Sequence, residues 1–369
     1  MRPFIFFLFR TLFFLPLTTI AQQDSIDIFI SNQMKQQGII GLSIGIIKNG
    51  KVIKAKGYGQ ANIELNIPAS EKTVYKIGSI SKQFIAVGIM KLLQEGKLNV
   101  SDPITKFIKD APAKWNSITI RHLLNHTSGL QLDPPGFDGM KEHADSIYIK
   151  TAFTDSLAFP TGSKYEYSNF GYFILADIIR ITSRLSFSEY MKKYIFDECR
   201  LNSTRTTSPV AIIPNRAAGY IKNANDSILN APNYIALRPS GAFLSNINDL
   251  LKWEMDMQNN KLLTQKNWNQ MWDDTIKTPL TMDNEAMYYG YGWMTNKVNG
   301  KQFFHHGGSL PGFKSVYFRY IEDKTALIIL TNSDKADAYG IAFGVSDILQ
   351  TEDKKNKNSS QSSRRPHRL

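Results

Sequence analysis

A serine and a lysine stand three residues apart in the segment YKIGSISK at 75–82, directly before an almost wholly apolar run. Positions i and i+3 share one face of a helix, so the amine of Lys82 can reach the hydroxyl of Ser79. A serine becomes a nucleophile when a neighbouring base takes its proton, and a lysine serves as that base when burial keeps it neutral. The pair predicts acyl transfer, with Ser79 as nucleophile and Lys82 as base.

The same spacing has an ordinary structural interpretation, in which Ser79 caps the helix and Lys82 lies in solvent. A Ser and a Lys three residues apart occur on the order of once by chance in a chain of this length. Ser81 is a second candidate nucleophile, but no lysine stands three residues after it. The start of the helix also offers backbone N–H groups near the expected acyl oxyanion.

A second polar patch, PTGSKYEYSNFGY, covers residues 160–172. In an extended segment before a helix, Tyr167 and Asn169 point the same way, since they are two residues apart. A phenol can shuttle protons and a carboxamide can hold a substrate amide. The structural alternative makes Asn169 a helix N-cap and Tyr167 a packed aromatic.

A third patch, FFHHGGSLPGF, covers residues 303–313. A glycine-rich strand edge lets a substrate approach the backbone closely, and unpaired backbone donors there can complete an oxyanion hole. Elsewhere His122 and His126 stand four residues apart, a spacing that metal sites use, but no Glu or Asp accompanies them as in a zinc-protease helix. We therefore expect no catalytic metal and no cofactor, and structural roles for these two histidines.

The composition indicates a globular protein, with 369 residues, 42% apolar residues and a formal charge of +12. Half of that charge lies at the two ends, and the remaining +6 is spread over the core without a dense basic block. A nucleic-acid-binding role is the weakest hypothesis for this chain. The lone Cys199 cannot form an internal disulfide, and we predict that it is a buried packing residue.

Both ends of the chain differ from the core. Residues 1–21 carry Arg2 and Arg10, an apolar run too short to span a bilayer, and a small residue before polar sequence, which is typical of a secretory signal cleaved after Ala21. We expect an exported protein, periplasmic or secreted, without a stable membrane span. The tail at 351–369 is rich in Ser, Asn, Lys and Arg, and we predict that it is disordered.

Strand patterns lie near both ends of the predicted core domain, 22–350, and helical patterns lie between them. The turn Asn49-Gly50 predicts a hairpin. The patterns predict a sheet lobe from about 25–75 and 285–350, a helical lobe between them, and a cleft where the lobes meet. The predicted strands are 41–47, 51–57, 303–306, 313–320 and 325–330, and the predicted helices are 81–93, 169–181, 247–257 and 336–349.

The three patches, in the order SISK, YSN and HGG, resemble the motifs of the class C β-lactamase and D-alanyl-D-alanine carboxypeptidase family of penicillin-recognising serine hydrolases. The flanking segments IRHLLNHTSGL and SLPGF are similar to that family's sequence as well. The resemblance runs from about Gly38 to Ile348. It implies a mixed α/β (α+β), β-lactamase/transpeptidase-like fold, with an antiparallel sheet flanked by helices, an all-helical lobe, and the active site between them.

The resemblance also implies roles for individual residues. Ser79 would attack the carbonyl, Lys82 would accept its proton, and Tyr167 would relay protons to the leaving group and then from water. Asn169 would orient the substrate amide, and the backbone N–H groups of Ser79 and Ser309 would form the oxyanion hole. At the third motif, His306 would take the electrostatic position and Gly308 would lie along the bound substrate.

Two departures from the family pattern bear on the substrate. His-x-Gly stands where β-lactamases usually carry Lys-Thr-Gly, which is similar to the carboxypeptidase, aminopeptidase and esterase branches. The alternative register, His305-His306-Gly307, fits as well, but the spacing to PGF favours His306. In SGAFLS at 240–245, Ala242 and Phe243 replace a more usual run of glycines, and we expect them to narrow the local backbone or cleft.

These observations favour a serine hydrolase acting on D-amino-acid peptides, β-lactams or small esters and amides, with peptidoglycan fragments among the candidate substrates. The rival hypothesis is a penicillin or cell-wall-ligand sensor that is acylated and turns over slowly. The oligomeric state is not readable from the sequence.

Overall fold

The computed structural model describes residues 24–141, 145–208, 210–233, 243–282, 284–298 and 300–362. The predicted signal peptide therefore lies outside the described residues.

An antiparallel sheet of nine strands forms the frame, in the order β3-β2-β1-β13-β12-β11-β10-β9-β8. This arrangement confirms the predicted fold class. The strands are β1 (Gly41–Lys48), β2 (Lys51–Asn62), β3 (Ile67–Pro68), β4 (Tyr75–Lys76), β5 (Tyr220–Lys222), β6 (Ile228–Asn230), β7 (Leu244–Ser245), β8 (Ile276–Met282), β9 (Glu285–Tyr289), β10 (Met294–Val298), β11 (Lys301–Leu310), β12 (Phe313–Tyr320) and β13 (Thr325–Thr331).

Helices cover both faces of this sheet and fill the region between its two groups of strands. They are α1 (Ser25–Gln37), α2 (Ser81–Gln94), α3 (Ile120–Leu124), α4 (Asp145–Thr151), α5 (Asn169–Ser183), α6 (Phe187–Met191), α7 (Ile247–Gln258), α8 (Gln265–Asp273) and α9 (Ala338–Ser362). The intervening region also holds two small sheets, β4 with β7 and β5 with β6.

Strand β1 lies inside the sheet, and seven of its eight residues are buried. It turns into β2 through Asn49 and Gly50, which both have positive φ, 51° and 74°, as the hairpin signal requires. On one face of the sheet, the apolar residues of β1 pack against α1 and α9. On the other face α7 comes close, since a Cβ at Gly45 would lie 2.8 Å from Ile247.

The helical lobe is built around α2 and α5. Eleven residues of α2 are buried, including the polar side chains of Ser81, Lys82 and Gln83. Such a helix is held by packing on all sides. Gly88 of α2 lets α5 approach, because a Cβ there would lie 3.1 Å from Ile179. The start of α2 is therefore rigidly positioned against α5, which is the other helix whose first turn carries predicted site residues.

Helix α9 extends further than predicted. It begins at Ala338 and runs to Ser362, so the chain is helical over the first part of the segment that we predicted to be disordered, while residues 363–369 lie outside the described residues. Adding a turn to an existing helix costs far less than starting one. Two contacts hold the added turns, from Ser25 to Glu352 at 2.8 Å and from Lys48 to Asp353 at 2.6 Å.

In the part of the chain that the structure describes, no helix is long and apolar enough to cross a membrane. Cys199 is 2% exposed, which confirms that it is a buried residue.

Candidate active site

Ser79 lies in a 3₁₀ turn, Gly78–Ile80, that leads directly into α2. Gly78 has a φ of +56°, and a Cβ there would come within 2.6 Å of the backbone nitrogen of Ser309. Only glycine meets both constraints without strain. The nucleophile turn is thus in contact with strand β11.

Lys82 is completely buried one turn into the helix. Its Nζ lies 3.3 Å from Ser79 Oγ and 2.8 Å from Asn169 Oδ1. Burial lowers the pKa of Lys82 to about 7, and the charge of Asp133 opposes this shift only in part. A large fraction of the amine is therefore neutral near pH 7, as a proton acceptor must be.

Ser81, the competing nucleophile, has a structural role. Its side chain is buried and its hydroxyl donates to the carbonyl of Gly78 at 2.6 Å. The same oxygen accepts the backbone N–H of Phe243 at 3.2 Å. Through these two hydrogen bonds, Ser81 stabilises the turn that carries Ser79.

Tyr167 lies beside the serine and lysine, with its ring centroid 4.7 Å from Lys82 Nζ. Burial raises the pKa of Tyr167, while a hydrogen bond with Ser79 acts in the opposite direction. The phenol is therefore protonated at neutral pH. In that form it can donate a proton and accept another from the serine side of the site, as a relay requires.

Asn169 begins α5, but the N-cap of that helix is Ser168, whose Oγ accepts the N–H of Gly171 at 3.0 Å. The Asn169 side chain is therefore available to the site. Its Oδ1 accepts from Lys82, and its Nδ2 donates to Asp133 Oδ1 at 3.0 Å. These two partners fix the orientation of the amide. Asp133 stands outside the three motifs, and no local signal in the sequence marks it.

The third motif lies on the edge of β11. Strand β10 pairs with β11 only as far as His305, so the edge from 306 to 310 faces the nucleophile turn. A Cβ at Gly308 would lie 2.1 Å from the carbonyl oxygen of Ile77, and Ser315 Oγ donates to that same oxygen at 2.8 Å. The backbone nitrogen of Ser309 therefore lies beside the turn that carries Ser79, where the predicted oxyanion hole requires it.

The two adjacent histidines face opposite sides of β11. His306 lines the cleft, whereas His305 stacks on Phe303 at 4.9 Å and pairs with the hydroxyl of Tyr339 at 3.0 Å. The register that we chose from the spacing to PGF therefore identified His306, which is the histidine that the structure places in the cleft.

His306 is a neutral ring in this setting. Burial and the charge of Lys82 lower its pKa to about 4. Its Nδ1 lies 2.7 Å from the carbonyl oxygen of Gly307 and must carry the proton, so Nε2 accepts from the hydroxyl of Tyr289 at 3.0 Å. His306, for which the resemblance implied an electrostatic role, therefore carries no charge at pH 7.

His126, for which we expected a structural role, lies behind Tyr167. Its ring is 4.3 Å from that of Tyr167 and 4.5 Å from that of Tyr289, and its Nδ1 accepts the N–H of Ser168 at 3.1 Å. His122 instead closes a capping box with Thr119. Among the described residues, no group of three or more potential ligands could hold a metal ion.

The expectation that Phe243 narrows the cleft is wrong. Its side chain is fully buried in the helical lobe, with its ring 6.1 Å from Phe84 and 5.8 Å from Phe196. Packing against other aromatic rings is the more favourable environment for this side chain. Ala242 lies outside the described residues.

The site opens into a cleft of about 450 Å³ between the nucleophile turn, β11, β12 and the start of α9. The cleft holds Ser79, Tyr167, His306, Gly308 and Ser309, while Lys82 and Asn169 lie directly behind them. The three motifs therefore meet in one place. The cleft is lined by Ser79, Tyr167, Met294, His306, Gly307, Gly308, Ser309, Lys314, Ser315, Ala336, Asp337, Ala338 and Tyr339.

This fold and this arrangement of serine, lysine and tyrosine define the class of penicillin-recognising serine hydrolases. A family profile described as Beta-lactamase matches residues 26–345. The chain belongs to the beta-lactamase family.

Curated relatives share between a quarter and a third of their residues with this chain. Protein flp of Staphylococcus aureus (strain MW2) is 29% identical over 317 residues, which are 84% of this chain and 63% of that protein. The chain thus spans less than two thirds of the length of protein flp. Penicillin-binding protein 4* of Bacillus subtilis is 27% identical over 322 residues, 79% of this chain and 69% of that protein.

Solved structures share the fold. The octameric penicillin-binding protein homologue from Pyrococcus abyssi has a TM-score of 0.80 and 29% identity, covering 88% of this chain and 77% of its own. The D-amino acid amidase from Ochrobactrum anthropi SV3 has a TM-score of 0.78 and 23% identity, covering 90% of this chain and 100% of its own. At that identity the amidase supports the fold alone.

Proposed function

We propose that this chain forms an acyl-enzyme on Ser79 and hydrolyses D-amino-acid peptides, β-lactams or small esters and amides. One observation carries the proposal: the Lys82 amine is buried, has a pKa lowered to about 7, and lies 3.3 Å from Ser79 Oγ. A lysine in such a setting accepts a proton at neutral pH, whereas a surface lysine does not.

Acylation follows from these contacts. Lys82 takes the hydroxyl proton as Ser79 Oγ bonds to the substrate carbonyl carbon, and the oxygen of that carbonyl becomes an oxyanion facing the backbone N–H groups of Ser79 and Ser309. When the bond to the leaving amine or alcohol breaks, the leaving group takes a proton through Tyr167. The proton on Lys82 replaces the one that Tyr167 gives up.

Deacylation uses the same groups in reverse. A water molecule gives a proton to the Tyr167 and Lys82 pair as its oxygen bonds to the acyl carbon. The tetrahedral intermediate then expels Ser79 Oγ, which recovers a proton from the same pair. The products are a carboxylic acid and the original site, so the cycle needs no group beyond the residues named.

The first experiment measures hydrolysis of nitrocefin, a p-nitrophenyl ester and a D-alanyl-D-alanine peptide by residues 22–369 and by the Ser79→Ala variant. We expect turnover of at least one substrate and its loss, by about 1,000-fold or more, in the variant. Intact mass spectrometry should show an acyl adduct on the wild-type protein only. Turnover that persists in Ser79→Ala would refute the mechanism.

A slowly deacylating penicillin-binding protein is the second candidate, because Penicillin-binding protein 4* is among the relatives. In that case labelled penicillin would give a stable adduct on Ser79 without measurable product. Sustained turnover of any substrate in the panel would exclude it.

Export is a further part of the proposal, supported by the apolar run between Arg2 and Ala21. N-terminal sequencing of the protein expressed with residues 1–369 would show a start at Gln22. A chain that retains Met1 and stays in the cytosolic fraction would contradict it.

A further inference from the structure

We infer that this protein has a second ligand site, separate from the cleft, which binds a small oxyanion through Arg319 and Lys324. The site is a cavity of about 110 Å³ between the end of α7, the start of α8 and the turn from β12 to β13. None of the residues that line it also lines the cleft of Ser79. The inference therefore goes beyond the proposed function and does not rest on it.

Arg319, on β12, is a buried cation whose guanidinium group is only partly engaged. The residue is 3% exposed, and its Nε donates to Glu254 Oε2 at 2.7 Å. Its Cζ lies over the rings of Trp272 and Trp293, at 5.0 and 5.4 Å from their centroids. Nη1 is buried and has no hydrogen-bond partner among the described residues. A buried donor without a partner is costly, and such a group in a native fold indicates a ligand or an ordered water.

The lining of the cavity is positively charged. Arg319 and Lys324 carry its formal charges, and neither Asp nor Glu is among the lining residues. Glu254 balances the charge of Arg319, whereas Lys324 forms no ion pair with a carboxylate of the described residues. The Lys324 side chain lies close to Gln258, because a Cβ at Gly50 would lie 3.8 Å from Lys324 Cδ and 3.9 Å from Gln258 Oε1. One net positive charge thus remains at the cavity.

Helix α8 adds further hydrogen-bond donors. Its first residue, Gln265, lines the cavity, and a helix N-terminus carries a partial positive charge and open backbone N–H groups. Trp268 lines the cavity one turn further on, and its Nε1 is buried without a hydrogen-bond partner among the described residues. These groups favour a negatively charged ligand that carries several acceptor atoms.

The size of the cavity and the geometry of its donors indicate the class of ligand. A volume of about 110 Å³ accommodates a carboxylate or phosphate group, whereas drug-sized ligands occupy pockets of about 300–1,000 Å³. A guanidinium group presents planar, parallel N–H donors that match two oxygens of either group. The ammonium group of Lys324 supplies a second charge for the same ligand. Carboxylate and phosphate share this chemistry, and the experiment distinguishes them.

Calorimetric titrations with sodium phosphate and with sodium acetate, each against sodium chloride of the same ionic strength, test for the site. At least one of the two anions should bind once per chain, and the anion with the lower Kd identifies the class. Tryptophan fluorescence should change on binding, because Trp268 and Trp272 line the cavity. Ser79→Ala should bind the anion with unchanged affinity, since Ser79 lies in the other cleft.

Two variants change the cations of the cavity without leaving the buried Glu254 unpaired. Arg319→Lys keeps a charge beside Glu254 and loses the planar donors, and Lys324→Met removes the exposed ammonium group. Each variant should weaken anion binding by about tenfold. The control Lys277→Met removes an exposed lysine on β8 outside the cavity and should leave the Kd unchanged.

Unchanged affinity in either cavity variant would overturn the inference, as would the absence of binding by both anions. Loss of binding in Ser79→Ala would also overturn it, because the anion would then occupy the catalytic cleft. These results are distinguishable from a failure of the proposed function, which is decided by the turnover of Ser79→Ala and not by the Kd of an anion.

Discussion

Two lysines of this protein are shielded from water in opposite surroundings. Lys82, at the start of α2, is fully buried and is hydrogen-bonded to the neutral side chains of Ser79 and Asn169. Lys54, on β2 near α1, is 10% exposed and lies 2.7 Å from the carboxylates of both Asp24 and Asp27.

The pKa values of the two amines separate accordingly. Burial lowers the pKa of Lys82 to about 7, and the charge of Asp133 opposes that shift only in part. Burial also lowers the pKa of Lys54, but hydrogen bonds and charges from Asp24 and Asp27 outweigh that effect, and the net shift is upward. At Lys82 burial outweighs the nearby carboxylate charge and leaves an amine that can act as a base, whereas at Lys54 two carboxylates in contact keep the amine charged in an ion pair.

Replacing Lys82 should have the largest effect. We expect Lys82→Met to lower kcat/KM by about 1,000-fold, since the base is removed while the volume is kept. Thermal unfolding should occur at the same temperature or higher, because a fully buried amine is costly to desolvate. Hydrolysis of the best substrate in the panel and calorimetry provide the two measurements.

The matched control is Lys91→Met in the same helix, where the lysine is paired with Glu198 at 2.8 Å. Its turnover should equal that of the wild type. If Lys82→Met retained more than about a tenth of the activity, Lys82 would not be the base.

The cluster of ion pairs and hydrogen bonds around Asp27 should affect the stability of the protein. Asp27 accepts hydrogen bonds from Lys54, Lys56 and Tyr58, at 2.7, 2.7 and 2.6 Å. Burial raises the pKa of Asp27, but these hydrogen bonds outweigh it and hold that pKa well below its usual range. We expect Asp27→Asn to lower the free energy of unfolding at pH 7 by about 2 kcal/mol.

The sign of the pH dependence follows from the lowered pKa. The stability from Asp27 is fully present above the pKa of the unfolded carboxyl, about 4, and is lost as the pH falls below it. The gap between wild type and variant in urea unfolding should therefore shrink from pH 7 to pH 3. Asp226→Asn, at an exposed pair with Lys222, should change stability by less than about 0.5 kcal/mol. Equal losses of stability in Asp27→Asn and Asp226→Asn would show that the buried cluster contributes no more than the exposed pair.

The smallest effect is expected from Asp133, whose charge partly compensates the burial of Lys82. Asp133 raises the pKa of Lys82, so Asp133→Asn should lower it and shift the acidic limb of kcat/KM to lower pH by less than about one unit. The new amide can still accept the hydrogen bond from Asn169. The exposed Asp155→Asn is the control for pH profiles measured from pH 5 to 9, and a shift to higher pH in Asp133→Asn would contradict this assignment.

Local patterns in the sequence predicted most elements that carry the site. The strand 313–320 has the predicted bounds, and the hairpin at Asn49-Gly50 forms as its turn residues require. The placement of Ser79 and Lys82 on one helical face also follows from spacing alone. These features depend on neighbours within a few residues, which is why they can be read from the chain.

Other features depend on residues brought together from distant parts of the chain. Asn169 meets Lys82 across 87 residues, and Asp133 orients Asn169 from outside any motif. Burial, which no local pattern measures, lowers the pKa of Lys82 and neutralises His306. The sequence by itself determined which residues have the right chemistry. The tertiary structure decided their protonation and their partners, because both follow from the packing of distant elements against one another.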